Sequence, residues 1–189
     1  MRKVIYGGAC SLDGFFAGPN DEIDWLHMSK DVQAVMAKSW ATVDTVLTGR
    51  KTWEFAKKMG GGPAMPGIKG YVLSRTLKSI DDKGSELVNT DAGEFVRKLK
   101  EQPGKDMIVM SGGNLASSLL AAGVVDEIGM NIHPLLLGAG VPAFMDAGTR
   151  VNLKLKECRP MAGDCVLVTY TVARSSGSRS TSKATRRAR

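Results

Sequence analysis

The sequence has few of the residues that bind metals or form disulfides. Its 189 residues include three cysteines and two histidines. Cys10, Cys158 and Cys165 show no C-x-x-C spacing, and His27 and His133 lie far apart in the chain. An odd number of cysteines cannot all pair, so the pattern argues against both a zinc site and a disulfide framework. We therefore expect no metal and a reducing, cytoplasmic setting.

Long apolar runs are also missing. No stretch approaches the roughly 20 apolar residues that a membrane span needs, and we expect no membrane partner. The start, MRKVIYGGACSL, is interpreted as a first strand because two glycines interrupt it and Asp13 follows.

The charge lies mostly at one end of the sequence. The formal net charge is +7, but residues 174–189 hold six basic and no acidic residues. We predict one folded domain over residues 1–173 and a disordered basic Ser/Arg-rich tail over residues 174–189. Binding of nucleic acid through this tail is the weaker alternative to a solvated extension, because the tail has no aromatic residue to stack a base.

Short β-branched runs alternate with longer helical patterns along the domain, which predicts an α/β fold with a largely parallel sheet. Strands are expected over Val4–Ser11, Thr45–Thr48, Gly70–Ser74, Glu86–Asn89, Met107–Ser111, Glu127–His133, Val151–Arg159 and Cys165–Ala173. Helices are expected over Lys30–Thr42, Lys51–Met59, Ala92–Gln102 and Asn114–Ala122. The last two strands alternate apolar and polar residues, as in an antiparallel hairpin at one edge of the sheet.

Two segments run from a strand through glycine into a helix. In TVLTGRKTWE, Gly49 is followed by Arg50, Lys51 and Thr52, and in IVMSGGNLASSLLAAG the turn contains Gly112 and Gly113. Cations are unfavourable at a helix N-terminus, so the first segment indicates an anionic ligand opposite it. Either turn alone could use glycine for geometry only, and neither is a G-x-G-x-x-G fingerprint.

Taken together, the two turns would flank a crevice at one end of a parallel sheet, where a dinucleotide could bind. The strand ending in YVLSRTL brings Ser74 and Arg75 to the same edge. Guanidinium groups recognise phosphate through paired hydrogen bonds. Arginines near a ribose would therefore bind a 2′-phosphate, which NADP carries and NAD lacks.

The motifs in these segments resemble those of a known family. VLTGRKTWE, VLSRTL and an apolar strand ending in SGG resemble, in that order, the dihydrofolate reductase superfamily. ACSLDGFFAG and HPLLLGAGVPAF resemble the reductase domain of the bacterial riboflavin-biosynthesis deaminase–reductase and its stand-alone relatives. The resemblance covers about residues 1–173. It implies a three-layer dihydrofolate-reductase-like fold, NADPH as the cofactor and a homodimer.

The resemblance also implies site residues. The residues implied for cofactor binding are Gly49, Arg50, Thr52, Ser74, Arg75, Gly112, Gly113, Asn114 and Leu115. Those implied for the substrate side are Ser11, Asp13, Gly14, Leu137, Gly138 and Gly140. The sequence departs from dihydrofolate reductases at GPNDEIDW, where they carry a leucine-proline-tryptophan run. It also lacks H-x-E with P-C-x-x-C, so the deaminase half of the riboflavin enzyme is not expected.

Two carboxylates are candidate catalytic residues. Asp13 is the first choice for a polar group in the pocket. The alternative interpretation is that Asp13 and Gly14 form an ordinary Asp-Gly turn. Asp31 is the nearest counterpart of the acid that binds pterin in dihydrofolate reductases. The alternative interpretation is that Asp31 lies near a helix start, where an acidic residue is favoured in any case. For His133, a structural role satisfied by the backbone is preferred to proton donation.

The sequence therefore predicts an NADPH-dependent reductase that acts on a small heterocycle. The most specific version reduces the ribose of a phosphoribosylamino-pyrimidine, and Lys57 or Lys58 would then bind the substrate phosphate. Dihydrofolate reductase activity and a non-catalytic NADP(H)-binding module are the alternatives.

Overall fold

The computed structural model describes residues 1–61, 67–148 and 150–173, so the predicted tail lies outside the described residues. The strands are β1 (Val4–Ser11), β2 (Phe15–Ala17), β3 (Val43–Gly49), β4 (Lys69–Leu73), β5 (Ser85–Val88), β6 (Asp106–Met110), β7 (Glu127–His133), β8 (Val141–Pro142), β9 (Leu153–Met161) and β10 (Cys165–Val172). The helices are α1 (Lys30–Ala41), α2 (Arg50–Lys58), α3 (Ala92–Glu101) and α4 (Gly113–Ala121).

One eight-stranded sheet organises the domain, in the order β5-β4-β3-β6-β1-β7-β10-β9. Neighbouring strands from β5 to β7 run parallel, and β10 runs antiparallel to both β7 and β9. The predicted α/β architecture with an antiparallel C-terminal hairpin at the edge is therefore confirmed. Because the parallel strands share one direction, their carboxyl ends form a single edge of the sheet.

Helices cover both faces of this sheet. On one face, helices α3 and α4 bury Val96 and Leu119 against the central strands, where Tyr6, Met107 and Val109 are fully buried. On the other face, Val32 of α1 packs against Met161, Cys165 and Leu167 of the hairpin. The right-handed β3–α2–β4 crossover places α2 on the same face as α1.

Strands β2 and β8 are two elements that the sequence patterns did not predict. They pair with each other outside the main sheet, Phe15 opposite Pro142 and Ala17 opposite Val141. Each is too short to show a period-two pattern, so only the tertiary contact defines them.

The four helix starts fall into two kinds. The side chains of Ser29 and Asp91 accept a first-turn N–H of α1 and α3 respectively. Helices α2 and α4 begin after Gly49 and Gly112, and neither has a side-chain cap. Their first-turn N–H groups therefore remain open at the carboxyl edge of the sheet.

No helix in the described ranges is long and apolar enough to cross a membrane. The same residues contain no group of His, Cys, Asp and Glu side chains that could hold a metal ion, and all three cysteines are free.

Candidate active site

The two glycine junctions lie side by side, because β3 and β6 are neighbours in the sheet. A Cβ atom on Gly49 would stand 2.8 Å from Ser111 Oγ and 3.8 Å from Leu115 Cβ. The starts of α2 and α4 are therefore in direct contact, and glycine at position 49 permits that contact.

The first turn of α2 is suited to an anion. It contains no acidic residue, and its open N–H groups carry partial positive charge. Arg50 is exposed and pairs with Glu54 one turn later, with 3.1 Å between Nη1 and Oε1. Thr52 is half-buried in the same turn. Backbone donors, a guanidinium and a hydroxyl form a donor set that fits a phosphate group.

Ser74 and Arg75 follow β4, the neighbour of β3 on the other side. The Ser74 N–H donates to the carbonyl of Val88 at 2.9 Å, and Ser74 Oγ accepts the N–H of Leu77 at 3.1 Å. These bonds fix the turn that presents Arg75. The Arg75 side chain is exposed and makes no hydrogen bond to the described part of the chain, so it is available to a ligand.

The segment around β8 closes over the start of α4. A Cβ atom on Gly112 would lie 3.2 Å from Val141 Cγ1, and one on Gly113 would lie 2.7 Å from Met145 Cγ. Gly113 is therefore required by packing against this segment. Asn114, in the same turn, is exposed, and Leu115 is half-buried.

Asp13 joins the first loop to the loop after β7. Its Oδ1 accepts Ser11 Oγ–H at 2.6 Å and the N–H of Leu137 at 3.2 Å, and its Oδ2 accepts the N–H of Gly138 at 2.7 Å. The Gly14 carbonyl in turn accepts the N–H of Ala143 at 2.8 Å.

Gly140 completes this contact between the two loops. A Cβ atom there would clash with the Ala17 carbonyl oxygen at 2.0 Å. All six residues implied for the substrate side are thus brought together, and their role in binding stays a prediction.

The hydrogen bonds to Asp13 determine its charge. The Ser11 hydroxyl, followed by the N–H groups of Gly138 and Leu137, holds the Asp13 pKa below its usual value despite some desolvation. Asp13 is therefore a carboxylate near neutral pH, which accepts hydrogen bonds and has no proton to donate.

Asp31 lies elsewhere, at the N-terminus of α1 beside the β9–β10 turn. Its Oδ2 accepts the N–H of Ala162 at 2.9 Å, and its Oδ1 accepts the N–H of Val32 at 2.9 Å and the Ser29 hydroxyl. The Ser29 hydroxyl is the main cause that lowers the Asp31 pKa. These contacts match the helix-start alternative, and a catalytic role for Asp31 stays a prediction.

His133 is buried at the end of β7 and has structural contacts. Its Nε2 accepts the N–H of His27 at 3.1 Å, its Nδ1 lies 3.3 Å from the Asn131 carbonyl oxygen, and Trp25 packs edge-on at 5.2 Å between ring centroids. The contacts support the preferred structural interpretation of His133. They also hold the loop of residues 18–29 over the end of β7.

Three side chains at this edge were not predicted from the sequence. Leu12 and Leu136 are 66% and 71% exposed and lie beside the Asp13 contact. The Leu12 N–H donates to the Leu135 carbonyl oxygen at 2.9 Å. The Asn131 amide is shielded from solvent without a hydrogen-bond partner in the described part of the chain. A sequence pattern cannot distinguish such side chains from ordinary loop leucines or a strand asparagine.

Lys57 and Lys58 lie away from this substrate side. Lys57 Nζ donates to the Asp81 carbonyl at 3.0 Å and lies 5.9 Å from the Trp53 ring centroid. Both lysines occupy the last turn of α2, about 10 Å along the helix from its start at 1.5 Å per residue.

Comparisons with known proteins agree with this arrangement. Residues 2–167 match the family model of the RibD C-terminal domain. The uncharacterised protein YyaP of Bacillus subtilis is 34% identical over 181 residues, which cover 90% of this chain and 95% of YyaP.

Solved structures show the same fold. A putative riboflavin biosynthesis protein from Shewanella sp. PV-4 superposes with a TM-score of 0.77 at 23% identity, covering 91% of this chain and 99% of that one. Dihydrofolate reductase from Enterococcus faecalis, solved with NADP(H), superposes with a TM-score of 0.66 at 18% identity, covering 91% and 97%. The resemblance read from the motifs is therefore confirmed: the chain belongs to the RibD C-terminal domain family and has the dihydrofolate-reductase-like fold.

Proposed function

We propose that this protein is an NADPH-dependent reductase that transfers a hydride to a small heterocyclic substrate, as riboflavin-pathway reductases do. The observation that carries the proposal is the contact between the starts of α2 and α4. Both helix starts lack side-chain caps, they touch at Gly49 and Ser111, and they open beside Arg50 and Arg75. This arrangement suits a ligand with several phosphates.

In this proposal each element of the cofactor side has a separate task. The first-turn N–H groups of α2 and α4 bind the pyrophosphate, with Arg50 and Thr52 beside it. Arg75 binds the 2′-phosphate that distinguishes NADPH from NADH, because Ser74 holds its turn in place. The bound cofactor supplies the hydride, and the chain's task is to hold the substrate against it.

On the substrate side, Asp13 acts through its contacts. Its carboxylate fixes the N–H groups of Leu137 and Gly138 and thereby orients the loop between β7 and β8. Because Asp13 is unprotonated near neutral pH, we assign the proton that completes the reduction to solvent.

Calorimetric titration of the full chain with NADPH, and in parallel with NADH, tests the cofactor half of the proposal. NADPH is expected to bind at least about tenfold more tightly, since a charged hydrogen bond to phosphate contributes about 1.5–3 kcal/mol. If neither nucleotide binds, the proposal is wrong.

Loss of nicotinamide absorbance, measured with a panel of heterocycles, tests the reductase half. Reduction of dihydrofolate alone would favour the dihydrofolate reductase alternative. NADPH binding without turnover of any heterocycle would favour the non-catalytic module.

A further inference from the structure

One amide inside the domain has no partner. Both the Nδ2 and the Oδ1 atoms of Asn131 are shielded from solvent, and neither has a hydrogen-bond partner among the described residues. Buried amides are nearly always hydrogen-bonded, because a donor or acceptor that leaves water without a replacement destabilises the fold. A trapped water would need several polar partners, whereas the residues that pair with Asn131 on either side, Ala9 and Leu167, are apolar. The surroundings therefore favour a ligand over a water as the missing partner.

The Asn131 side chain lies on the face of the sheet that α1 covers. Its neighbours along β7, Met130 and Ile132, pack into the core with α3 and α4. Because successive side chains of a strand alternate between faces, Asn131 points to the opposite side. Leu167, which pairs with Asn131 on β10, packs on that side against Val32 of α1.

The same face carries the contact between Ser11 and Asp13. In the pairing of β1 with β7, Ala9 is opposite Asn131 and Ser11 is opposite His133. Ser11 donates to Asp13 at 2.6 Å. Asn131 is one side-chain position further into the sheet, about 7 Å from the level of Ser11 at 3.3 Å per residue. The unpartnered amide therefore lies next to the residues that the family resemblance implies for the substrate side.

The sheet beside Asn131 carries little side-chain volume. Gly129 is the preceding residue on this face, and it pairs with Gly7 on β1. A Cβ atom on Gly129 would meet no described atom closer than Thr169 Oγ1 at 3.8 Å, which is an ordinary contact distance. The fold thus leaves room above Gly129, where a flat ring can lie against the backbone and present its edge to Asn131.

We propose that the Asn131 side chain reads the edge of the substrate ring, and that this edge carries a hydrogen-bond donor and an acceptor on adjacent atoms. A carboxamide holds an acceptor and donors side by side, so it pairs with such an edge through two hydrogen bonds, as asparagine does with a base. This inference rests on the proposed reductase function and names the group by which the substrate is selected. A ring without the donor leaves part of the amide unpaired, which is a strong source of discrimination.

The ligand reaches the amide when the loop of residues 18–29 moves. The hydrogen bond of 3.1 Å from the His27 N–H to His133 Nε2 and the edge-on contact of Trp25 hold this loop over the end of β7. Because His133 follows Asn131 by two residues on the same face, the contacts that hold the loop lie beside the amide.

The Asn131 side-chain resonances provide a test that needs no turnover. They are assigned by triple-resonance NMR of the full chain and followed in ¹⁵N spectra. The probes are 2-pyridone, a lactam, and neutral 2-aminopyridine, an amidine, and the stronger binder identifies which of the two edges Asn131 reads. N-methyl-2-pyridone is the control, because it keeps the ring and the carbonyl and lacks the donor.

At least one of the two probes should shift the Asn131 side-chain resonances. N-methyl-2-pyridone should bind at least about tenfold more weakly than that probe, since the loss of one hydrogen bond leaves its partner unpaired. No shift with either probe, or equal binding of N-methyl-2-pyridone, would overturn the inference.

Asn131→Leu removes the amide and keeps a side chain of similar size. Because the amide is unpaired in the free chain, the melting temperature should stay the same or rise, while the affinity for the effective probe should fall at least about tenfold. Asn152→Leu is the matched control, because Asn152 is exposed and its carbonyl accepts the Ala173 N–H near the amino edge of the sheet. The control should leave probe affinity unchanged. A lower melting temperature of Asn131→Leu with unchanged probe affinity would identify a structural amide and overturn the inference.

Spectra recorded with and without saturating NADPH separate the two proposals. NADPH binding with no shift of the Asn131 resonances in either state overturns the substrate inference and leaves the cofactor proposal standing. A donor-dependent shift in a chain that does not bind NADPH supports the role of Asn131 as a ligand contact and contradicts the reductase function.

Discussion

Gly49 and Ser111 lie on neighbouring parallel strands, and a Cβ atom on Gly49 would stand 2.8 Å from Ser111 Oγ. Gly49→Ala should therefore force the starts of α2 and α4 apart. Overpacking of this kind costs about 1–3 kcal/mol, so both the melting temperature and the NADPH affinity should fall. Differential scanning fluorimetry with and without NADPH measures both effects.

Ser111→Ala provides the matched control for this prediction. It removes the Oγ atom that the new methyl group meets, so the Gly49→Ala/Ser111→Ala protein should regain most of the lost NADPH affinity. A double variant as weak as Gly49→Ala would show that the contact with Ser111 does not make glycine necessary, because the extended backbone at Gly49, with a φ of −85°, accepts any residue.

Arg75→Ala should change cofactor selectivity. The Arg75 side chain has no hydrogen bond to the described residues and stands on a turn fixed by Ser74. Its loss should weaken NADPH binding about 10–100-fold, the effect of one charged hydrogen bond, and leave NADH binding unchanged. Isothermal titration of both nucleotides measures the ratio.

Lys98→Ala is the control for Arg75→Ala, because Lys98 is an exposed cation in the last turn of α3. Both changes remove one positive charge, so a general electrostatic effect would weaken NADPH binding equally in the two variants. Equal weakening, or parallel loss of NADH binding in Arg75→Ala, would contradict the role of Arg75.

Asp13→Asn should reduce turnover and spare the cofactor. An amide in place of the carboxylate directs an NH₂ group at one of the donors from Leu137, Gly138 and Ser11. The loop after β7 should then lose its fixed position, with kcat/KM falling at least about tenfold and the Kd for NADPH unchanged. Steady-state kinetics and calorimetry on the same preparation separate the two quantities, and unchanged turnover would remove Asp13 from the mechanism.

The folded-state pKa of Asp13 gives this prediction a pH dependence. Because the folded-state pKa of Asp13 lies below its usual value of 3.8, the contribution of the contact is present above pH 3.8 and is lost as the pH falls through the folded-state pKa. The activity difference between wild type and Asp13→Asn should therefore persist across the neutral range.

The sequence predicted the elements with strong periodic patterns. All eight strands of the main sheet and all four helices were expected, with ends that differ by a few residues at most. The position of both glycine junctions at one end of the sheet was expected as well, since parallel strands end at one edge, but the direct pairing of β3 with β6 was not predicted. Strands β2 and β8 were not expected, because two or three residues cannot show a period and their partners are distant in sequence.

The site was less predictable than the fold. Motif positions indicated that Asp13 and Gly138 belong to one region, but their hydrogen bond links residues 125 positions apart. The position of Lys57 could not be read from the chain either, because helix length and direction decide which edge it reaches.

The homodimer implied by the family resemblance remains a proposal with a structural test. Leu153 and Leu155 of the edge strand β9 are 43% and 55% exposed, and Val166 of β10 is 36% exposed on the same sheet face. We propose that a second copy of the chain covers this apolar face. Leu155→Glu should then shift the sedimentation coefficient from dimer to monomer, whereas Leu136→Glu, at the substrate edge, should not. A wild-type monomer would contradict the proposal.

Glu127 should make the fold sensitive to acid. Lys3 Nζ lies 2.8 Å from its Oε1 and Lys156 Nζ lies 2.7 Å from its Oε2, and the carboxylate side chain is 11% exposed. Burial would raise the Glu127 pKa, but the two lysines outweigh it and hold the value below 4.5. A lowered folded-state pKa stabilises the protein above pH 4.5, and this contribution is lost as the pH falls through the folded value.

Glu127→Gln removes the titrating group and two charged hydrogen bonds. The free energy of unfolding should fall by about 1–3 kcal/mol at pH 7, and the difference from wild type should shrink toward zero as the pH falls below 4.5. Urea denaturation across this pH range measures the effect. Glu86→Gln is the control, because its ion pair with Lys69 is exposed on both sides and solvent screening should leave its contribution small. An equal loss in both variants at pH 7, or a difference that grows in acid, would show that burial of Glu127 does not strengthen its two ion pairs.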